Sequence, residues 1–184
     1  MSERRPEPAP SASTDVSVAT HDAARPGSAA APTRVLDPGE VPERTGSAYP
    51  PHLSKELAGR HRRPLSEVLG LRNFGVNLLR LEPGAWSSQR HWHITQDEFI
   101  YVLEGEVVLV TEAGEQVLEA GMCAGFPAGA PNGHHLRNQS TRDALVLEVG
   151  DRSPGDAATY PDVDMAGRLD VPRYVFTRKD GSAF

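Results

Sequence analysis

One cysteine, Cys123, stands in the 184 residues, so no disulfide can form within the chain. Small secreted domains lean on such bridges; this chain does not, and a cytoplasmic, bacterial-type protein is the expectation. Long apolar runs are missing too. None approaches the roughly 20 residues that span a bilayer, so no membrane partner is expected. Arg4 and Arg5 near the start are followed by no apolar segment, which argues against a secretory signal. There is no basic stripe: acidic and basic residues mix along the chain and the formal net charge is -6, so nucleic acid is not an expected partner. After residue 74 no helical period of useful length appears, and no internal repeat is visible. Aromatic residues come late, the first being Tyr49. The segment before it, 1–45, is rich in Ala, Pro, Ser, Thr and charge. Such a segment buries too little apolar surface to offset its ordering entropy, and it reads as a disordered tail. Its Val35-Leu36 is a short stretch that could dock on the rest.

What is present begins with an arm, 46–73, in which Pro50, Pro51 and Pro64 exclude a long helix. It is expected to be irregular, with one short turn over Leu65 to Leu69. From Phe74 the texture changes to short apolar or alternating runs separated by Gly, Pro and charged turns. The predicted strands are Phe74–Leu81, Gln89–His93, Glu98–Leu103, Val107–Thr111, Gln116–Glu119, Met122–Phe126, His134–Asn138 and Ala144–Val149. Turns fall at Pro83-Gly84, Glu104-Gly105, Ala113-Gly114 and Pro127-Ala128-Gly129. Many short strands at regular spacing define an all-β, antiparallel sandwich or barrel over 74–150. The extension 151–184 holds one more candidate strand, Tyr174–Thr177, suited to covering a sheet edge. Cys123 reads as a small buried hydrophobe.

Chemistry concentrates in His91-Trp92-His93-Ile94-Thr95-Gln96-Asp97-Glu98 and in Gly133-His134-His135-Leu136-Arg137-Asn138. Residues i and i+2 of a strand point the same way, so His91 and His93, about 7 Å apart along the backbone, can converge on one ion. Glu98 follows after a turn and adds a hard oxygen donor. His134 comes from a distant strand that a closed barrel brings back. A lone His-x-His pair is more often structural, and Glu98 alone would be a solvated strand residue. Together they form a divalent-metal set of three imidazoles and a carboxylate. Trp92, between two inward residues, should point outward. His134 and His135 face opposite sides of a strand, so only one can enter the barrel. The spacing to Asn138 favours His134, with His135 as its rival.

Two segments resemble the motifs of the cupin superfamily. Gly84, His91-Trp92-His93, Glu98 and Gly105 are similar to the first motif, with a spacer one residue longer before His91. Gly121, Pro127-Ala128-Gly129, His134 and Asn138 are similar to the second, with two extra residues in the loop Ala130-Pro131-Asn132-Gly133. The tail beyond them resembles a group of uncharacterised bacterial single-domain cupins. The resemblance implies a small antiparallel jelly-roll β-barrel, a homodimer, and a metal held by His91, His93, Glu98 and His134. The ion would be one divalent metal: imidazole suits Zn, Cu, Fe and Ni, and the carboxylate suits Mn and Fe as well. Metal binding needs neutral imidazoles, so loss is expected as pH falls through about 6.

The resemblance further implies a metal-dependent enzyme acting on a small organic molecule, with a dioxygenase-like reaction first. A metal-dependent binding or sensing module without turnover is the alternative, to be distinguished by an acid/base pair beyond the metal donors. A sugar isomerase or epimerase is the third reading; it would need a phosphate-binding arginine, for which Arg80 and Arg90 are candidates. Strand alternation proposes Gln89, Ile100, Val102, Leu136 and Asn138 as pocket residues. It also sets Trp92, Phe99 and Tyr101 on the face opposite the donors, where a partner could cover them. No catalytic residue is assigned.

Overall fold

The computed structural model describes residues 34–170 and 173–184, so the expected tail lies outside the described residues as far as Thr33. In chain order the strands are β1 (Arg44–Thr45), β2 (Arg60–Arg63), β3 (Phe74–Leu81), β4 (Trp92–His93), β5 (Glu98–Glu104), β6 (Glu106–Thr111), β7 (Gly114–Glu119), β8 (Cys123–Phe126), β9 (His135–Arg137), β10 (Ala144–Asp151), β11 (Ala157–Thr159), β12 (Ala166–Asp170) and β13 (Arg173–Thr177). A single α-helix, the short α1 (Leu65–Leu69), is found among the described residues, with three 3-10 turns at Pro38–Glu40, Pro51–Leu53 and Lys55–Leu57. None of the described helices is long and apolar enough to cross a membrane.

The strands pair antiparallel in three sheets. One is six-stranded, ordered β1-β2-β3-β10-β5-β8; the others run β13-β12-β11-β4 and β7-β6-β9. Bridges between His91 and His134 and between Trp86 and Arg137 stitch the two smaller sheets together. The result is the antiparallel architecture that the strand pattern predicts, in the jelly-roll form that the cupin resemblance implies. Gly105 makes the tight corner between β5 and β6 at φ 72, where a Cβ would sit 2.8 Å from the Asp143 carbonyl oxygen, so only glycine fits.

The core lies between the layers. Leu79, Leu81, Val102, Val107, Leu109, Leu118, Leu136, Ala144 and Val146 are buried together there. Each fully buried Leu or Val contributes about 1.5–3 kcal/mol by leaving water. Cross-strand register sets what else faces inward. Opposite residues share a face, so β10 aligns Val146 with Leu79 of β3 and Val102 of β5, and Glu148 with Asn77 and Ile100. On β2, Arg60 lies opposite Leu81 and Arg62 opposite Leu79, which turns both arginines toward the interior.

The arm 46–73 is more regular than expected, since it contains β2. Arg60-His61-Arg62-Arg63 shows no apolar alternation, so the sequence signal for a strand is absent; hydrogen bonds to β3 and side-chain ion pairs hold it instead. From Arg34 the chain already touches the barrel: Val41 is buried, and Glu43 forms a two-point ion pair with Arg80 at 3.1 and 2.8 Å. Val35 does not dock, being exposed. The extension after residue 151 supplies three strands, β11 to β13, joined to β4. Cys123 is exposed rather than buried, because it lies opposite Tyr101 on the outward face of the edge strand β8.

Candidate metal centre

His91, His93 and His134 all present Nε2 to one carboxylate oxygen, Oε2 of Glu98, at 4.0, 3.6 and 2.9 Å. The His91–His134 bridge brings the two motifs side by side, and Glu98 opens β5 across from them. The donor atoms of His91, Glu98 and His134 lie within 4.8 Å of one another, a group able to hold a metal ion. His93 falls outside that tight trio yet faces the same oxygen. An ion about 2.0–2.2 Å from each donor places neighbouring donors about 3 to 3.5 Å apart, so the trio needs little adjustment.

The opposite ring nitrogens explain the orientation. His91 Nδ1 donates to the carbonyl oxygen of Gln89 at 2.9 Å, which can only accept, so the proton sits on Nδ1 and the Nε2 lone pair is free. His93 Nδ1 donates to Asp156 at 2.5 Å, and His134 Nδ1 lies 3.4 Å from the Asn132 carbonyl oxygen. Carboxylates and carbonyls behind imidazoles are the usual supports of metal-binding histidines. Asp156 is fully buried and also accepts from Thr95 N at 2.9 Å and from the Tyr174 hydroxyl. Sequence reasoning passed over Asp156 and Tyr174, since both come from the extension and no spacing ties them to His93.

Burial pushes the His91 imidazole down to about 4, so it stays neutral and available as a ligand. Burial raises Glu98, but the hydrogen bond from His134 and the neighbouring imidazoles outweigh it and hold the carboxyl at about 2. Asp156 is likewise raised by burial and brought below the usual carboxylate range by its bonds from Tyr174, Thr95 and His93. His91 is thus neutral while Glu98 and Asp156 are ionised, the state a divalent cation requires.

His134, not His135, enters the barrel. The loop with two extra residues keeps it in place: Gly133 passes so close that a Cβ would meet Pro161 at 2.9 Å. His135 instead donates to Ser88 O at 2.9 Å and accepts from Arg137 Nε at 3.0 Å. Its ring packs edge-on against Trp86, and burial pushes it down to about 4. Phe126 stacks on His134 with centroids 3.6 Å apart. A cavity of about 50 Å³ beside Glu98 and His134 is lined by Gln96, Phe126, Pro127 and Asn132 among others.

The five pocket candidates lie elsewhere. Ile100, Val102 and Leu136 belong to the apolar core. Gln89 donates to the Leu53 carbonyl oxygen at 2.9 Å. Asn138 is fully buried and holds the following loop through Leu81 O and Arg142 O. Arg80 and Arg90, the phosphate-binding candidates, are occupied by carboxylates: Arg80 by Glu43 and Asp143, Arg90 by Asp162 and Glu112. Trp92 shares no sheet with Phe99 and Tyr101; it pairs with Thr159 in the four-stranded sheet.

Polar groups that sequence reasoning missed face the same interior. Glu148 lies opposite Ile100, two residues from Glu98 on the neighbouring strand, and pairs with Arg62 at 3.2 Å. The side chains keep 19% and 37% of their exposure, for Glu148 and Arg62, so the pair is reachable from solvent. Tyr160 stacks on His91 with centroids 5.4 Å apart, and its hydroxyl lies 3.2 Å from that of Tyr49. Extending the alternation Ala144, Val146, Glu148 would have found the carboxyl.

Residues 77–150 match the family described as Cupin domain. A sugar phosphate isomerase of the cupin superfamily from Silicibacter pomeroyi is 48% identical, with a TM-score of 0.78, over 82% of this chain and 96% of its own. A protein from Acidithiobacillus ferrooxidans, provisionally named a sugar phosphate isomerase, is 26% identical with a TM-score of 0.62, over 73% of this chain and 82% of its own. A polyketide cyclase from Streptomyces resistomycificus, 20% identical with a TM-score of 0.55 over 67% of this chain and 82% of its own, shares the fold. No curated protein matches the chain. With both motifs, the jelly roll and the converging donors in place, the chain belongs to the cupin superfamily.

Proposed function

We propose that this cupin is a metal-dependent enzyme that isomerises a small hydroxy-carbonyl compound by proton transfer. The observation that carries the reading is Glu148, a carboxyl on the inner face beside the metal donors yet not one of them. Proton-transfer chemistry needs such a group. A divalent ion held by His91, His93, Glu98 and His134 would supply Lewis acidity toward a carbonyl or hydroxyl oxygen. Glu148 takes the proton from the hydroxyl-bearing carbon next to the carbonyl and returns it to the former carbonyl carbon, while the hydroxyl proton passes to the former carbonyl oxygen, so no oxidant or reductant is consumed. Arg62 holds Glu148 in place through their 3.2 Å ion pair. Tyr49 and Tyr160 offer hydroxyls to substrate oxygens. The names carried by the Silicibacter and Acidithiobacillus proteins support this reading over the others.

The test is incubation of metal-loaded protein with aldose and ketose phosphates in D2O. Deuterium should appear on the carbon next to the carbonyl, and Glu148→Gln should abolish that uptake while keeping its metal. Metal-loaded protein that neither turns over nor exchanges any of these compounds overturns the reading. A second reading, oxygen-dependent cleavage, is favoured by the donor set, which leaves positions on an octahedral ion open. Oxygen uptake by iron-loaded protein in the presence of substrate would select it. Binding without exchange or oxygen uptake would select a sensing module.

We also propose a homodimer through the outward face of the six-stranded sheet. Phe99, Tyr101 and Leu103 of β5 are exposed there, and Leu147 and Val149 of β10 lie alongside. A single copy in a sizing measurement would overturn it.

A further inference from the structure

The strand β2 carries four basic side chains in a row, Arg60-His61-Arg62-Arg63. Alternation divides them. The outward pair has partners: His61 meets Glu82 at 2.9 Å and Glu43 at 3.3 Å, and Arg63 donates to the carbonyl oxygens of Gly39 and Val41 at 2.7 and 2.8 Å. The inward pair is under-served. Arg60 reaches one carbonyl oxygen, Gly46 O at 3.4 Å, and pairs with no carboxylate among the described residues. Arg62 faces Glu148 alone. The Nε of Arg60 is buried without a hydrogen bond among the described residues, while Nε of Arg62 and Oε2 of Glu148 face each other in their 3.2 Å ion pair. Two guanidinium charges therefore share one carboxylate in the interior.

An apolar strand would close this side of the barrel with no such imbalance. Burial pushes the Arg60 guanidinium down to about 10, and repulsion from Arg62 adds to that; it is still charged at neutral pH. The Tyr49 phenol is raised by burial. Its hydroxyl lies 3.2 Å from that of Tyr160, which stacks on His91, so the arm that precedes β2 reaches the metal donors. A guanidinium presents planar, paired N–H donors that match the oxygens of phosphate and carboxylate.

We infer that Arg60 and Arg62 form an anion subsite that holds the phosphate or carboxylate group of the substrate while its oxygen-bearing carbons lie toward the metal donors. This rests on the reading of the barrel interior as a small-molecule site, and it names the class of molecule: a compound with an anionic group at one end. Arg80 and Arg90 do not serve this role, since carboxylates already occupy them.

Calorimetric titration of the metal-loaded full chain with inorganic phosphate, and separately with acetate, tests the inference. Saturable binding is expected, weakened at least tenfold in Arg60→Gln and in Arg62→Gln. Arg62→Lys, which keeps the charge without the fork, should fall between. Metal-free Glu98→Ala should still bind the anion, which separates the arginines from binding to the ion. Preference for phosphate assigns a phosphorylated substrate, and preference for acetate a carboxylic acid; either supports the subsite. Thermal melts at fixed ionic strength guard against misfolding. Phosphate or acetate should raise the melting temperature of the wild type and leave that of Arg60→Gln unmoved. Binding that is equal in wild type and both glutamine variants, or no saturable binding of either anion, overturns the subsite. Anion binding that depends on the arginines, with no isomerisation of any compound, would leave the subsite standing and remove the proposed reaction.

Discussion

Along three neighbouring strands the inward face changes character from one end of the barrel to the other. On β10 it runs Ala144, Val146, then Glu148; on β5, Val102, Ile100, then Glu98; on β3, Leu81, Leu79, then Asn77. At the apolar end the side chains are sealed: Leu79, Leu81, Val102 and Val146 have no exposure. The polar end gathers the three imidazoles, two carboxyls and two tyrosines, and it is closed by segments from outside the barrel, Tyr49 from the arm and Asp156, Tyr160 and Tyr174 from the extension. The difference teaches a division of labour within single strands. Burial of the apolar half drives folding, while the same rigid backbone holds the polar half at spacings an ion can use.

Substitutions should separate the halves. The largest effect is expected from Leu79→Ala, which opens a cavity at a sealed position and should cost about 2–5 kcal/mol of stability in denaturant unfolding, with metal stoichiometry kept in the folded fraction. Glu98→Ala and His134→Ala should do the reverse. Elemental analysis of protein purified without added metal should show the ion gone; if neither change lowers bound metal, the proposed centre is wrong. Asp156→Asn is a finer probe. It removes the carboxylate behind His93, so metal affinity should fall about 10–100-fold, read by competition with a chelator.

Acid should act mainly on the polar half and its surroundings. The folded pKa values of His91 and His135 lie at about 4, below the ordinary 6.5 of the unfolded chain. Between those values the unfolded state binds more protons, so metal-free protein should be steady above about pH 7 and lose stability from pH 6.5 down to 4. His135→Asn should flatten part of that slope, seen in melts across pH. Because His91 stays neutral further into acid than a free imidazole, metal release should begin below the pH of about 6 expected for accessible ligands. The smallest effect belongs to Cys123→Ser. At this exposed position stability should change by less than about 0.5 kcal/mol, and a thiol reagent should label the folded wild type in full.

The legibility of the two halves differs for a physical reason. Apolar alternation in β3, β5 and β10 and the apolar run of β6 are strong because burial demands them, and those strands were readable. The candidate donors were readable through short-range parity and motif spacing, since His91 and His93 sit two apart and the motif resemblance brings in Glu98 and His134, and the structure gathers them around one Glu98 oxygen. Glu148 was missed because a carboxyl ending an apolar alternation resembles a strand leaving the core. Arg60 and Arg62 were missed because a strand of four basic residues has no apolar face at all. Asp156 and Tyr174 stand 63 and 81 residues from His93, and no local rule links them.

By itself the amino-acid sequence determined an antiparallel barrel, the convergence of His91 and His93 and the reason Trp92 cannot join them: a strand's twofold alternation is a property of the backbone. Tertiary structure alone decided that His134 rather than His135 meets Glu98, that Arg80 and Arg90 are occupied while Arg60 and Arg62 turn inward, and that the extension buttresses His93. Those outcomes depend on which strands lie side by side. Register between residues far apart in the chain is set by the packing of the whole barrel.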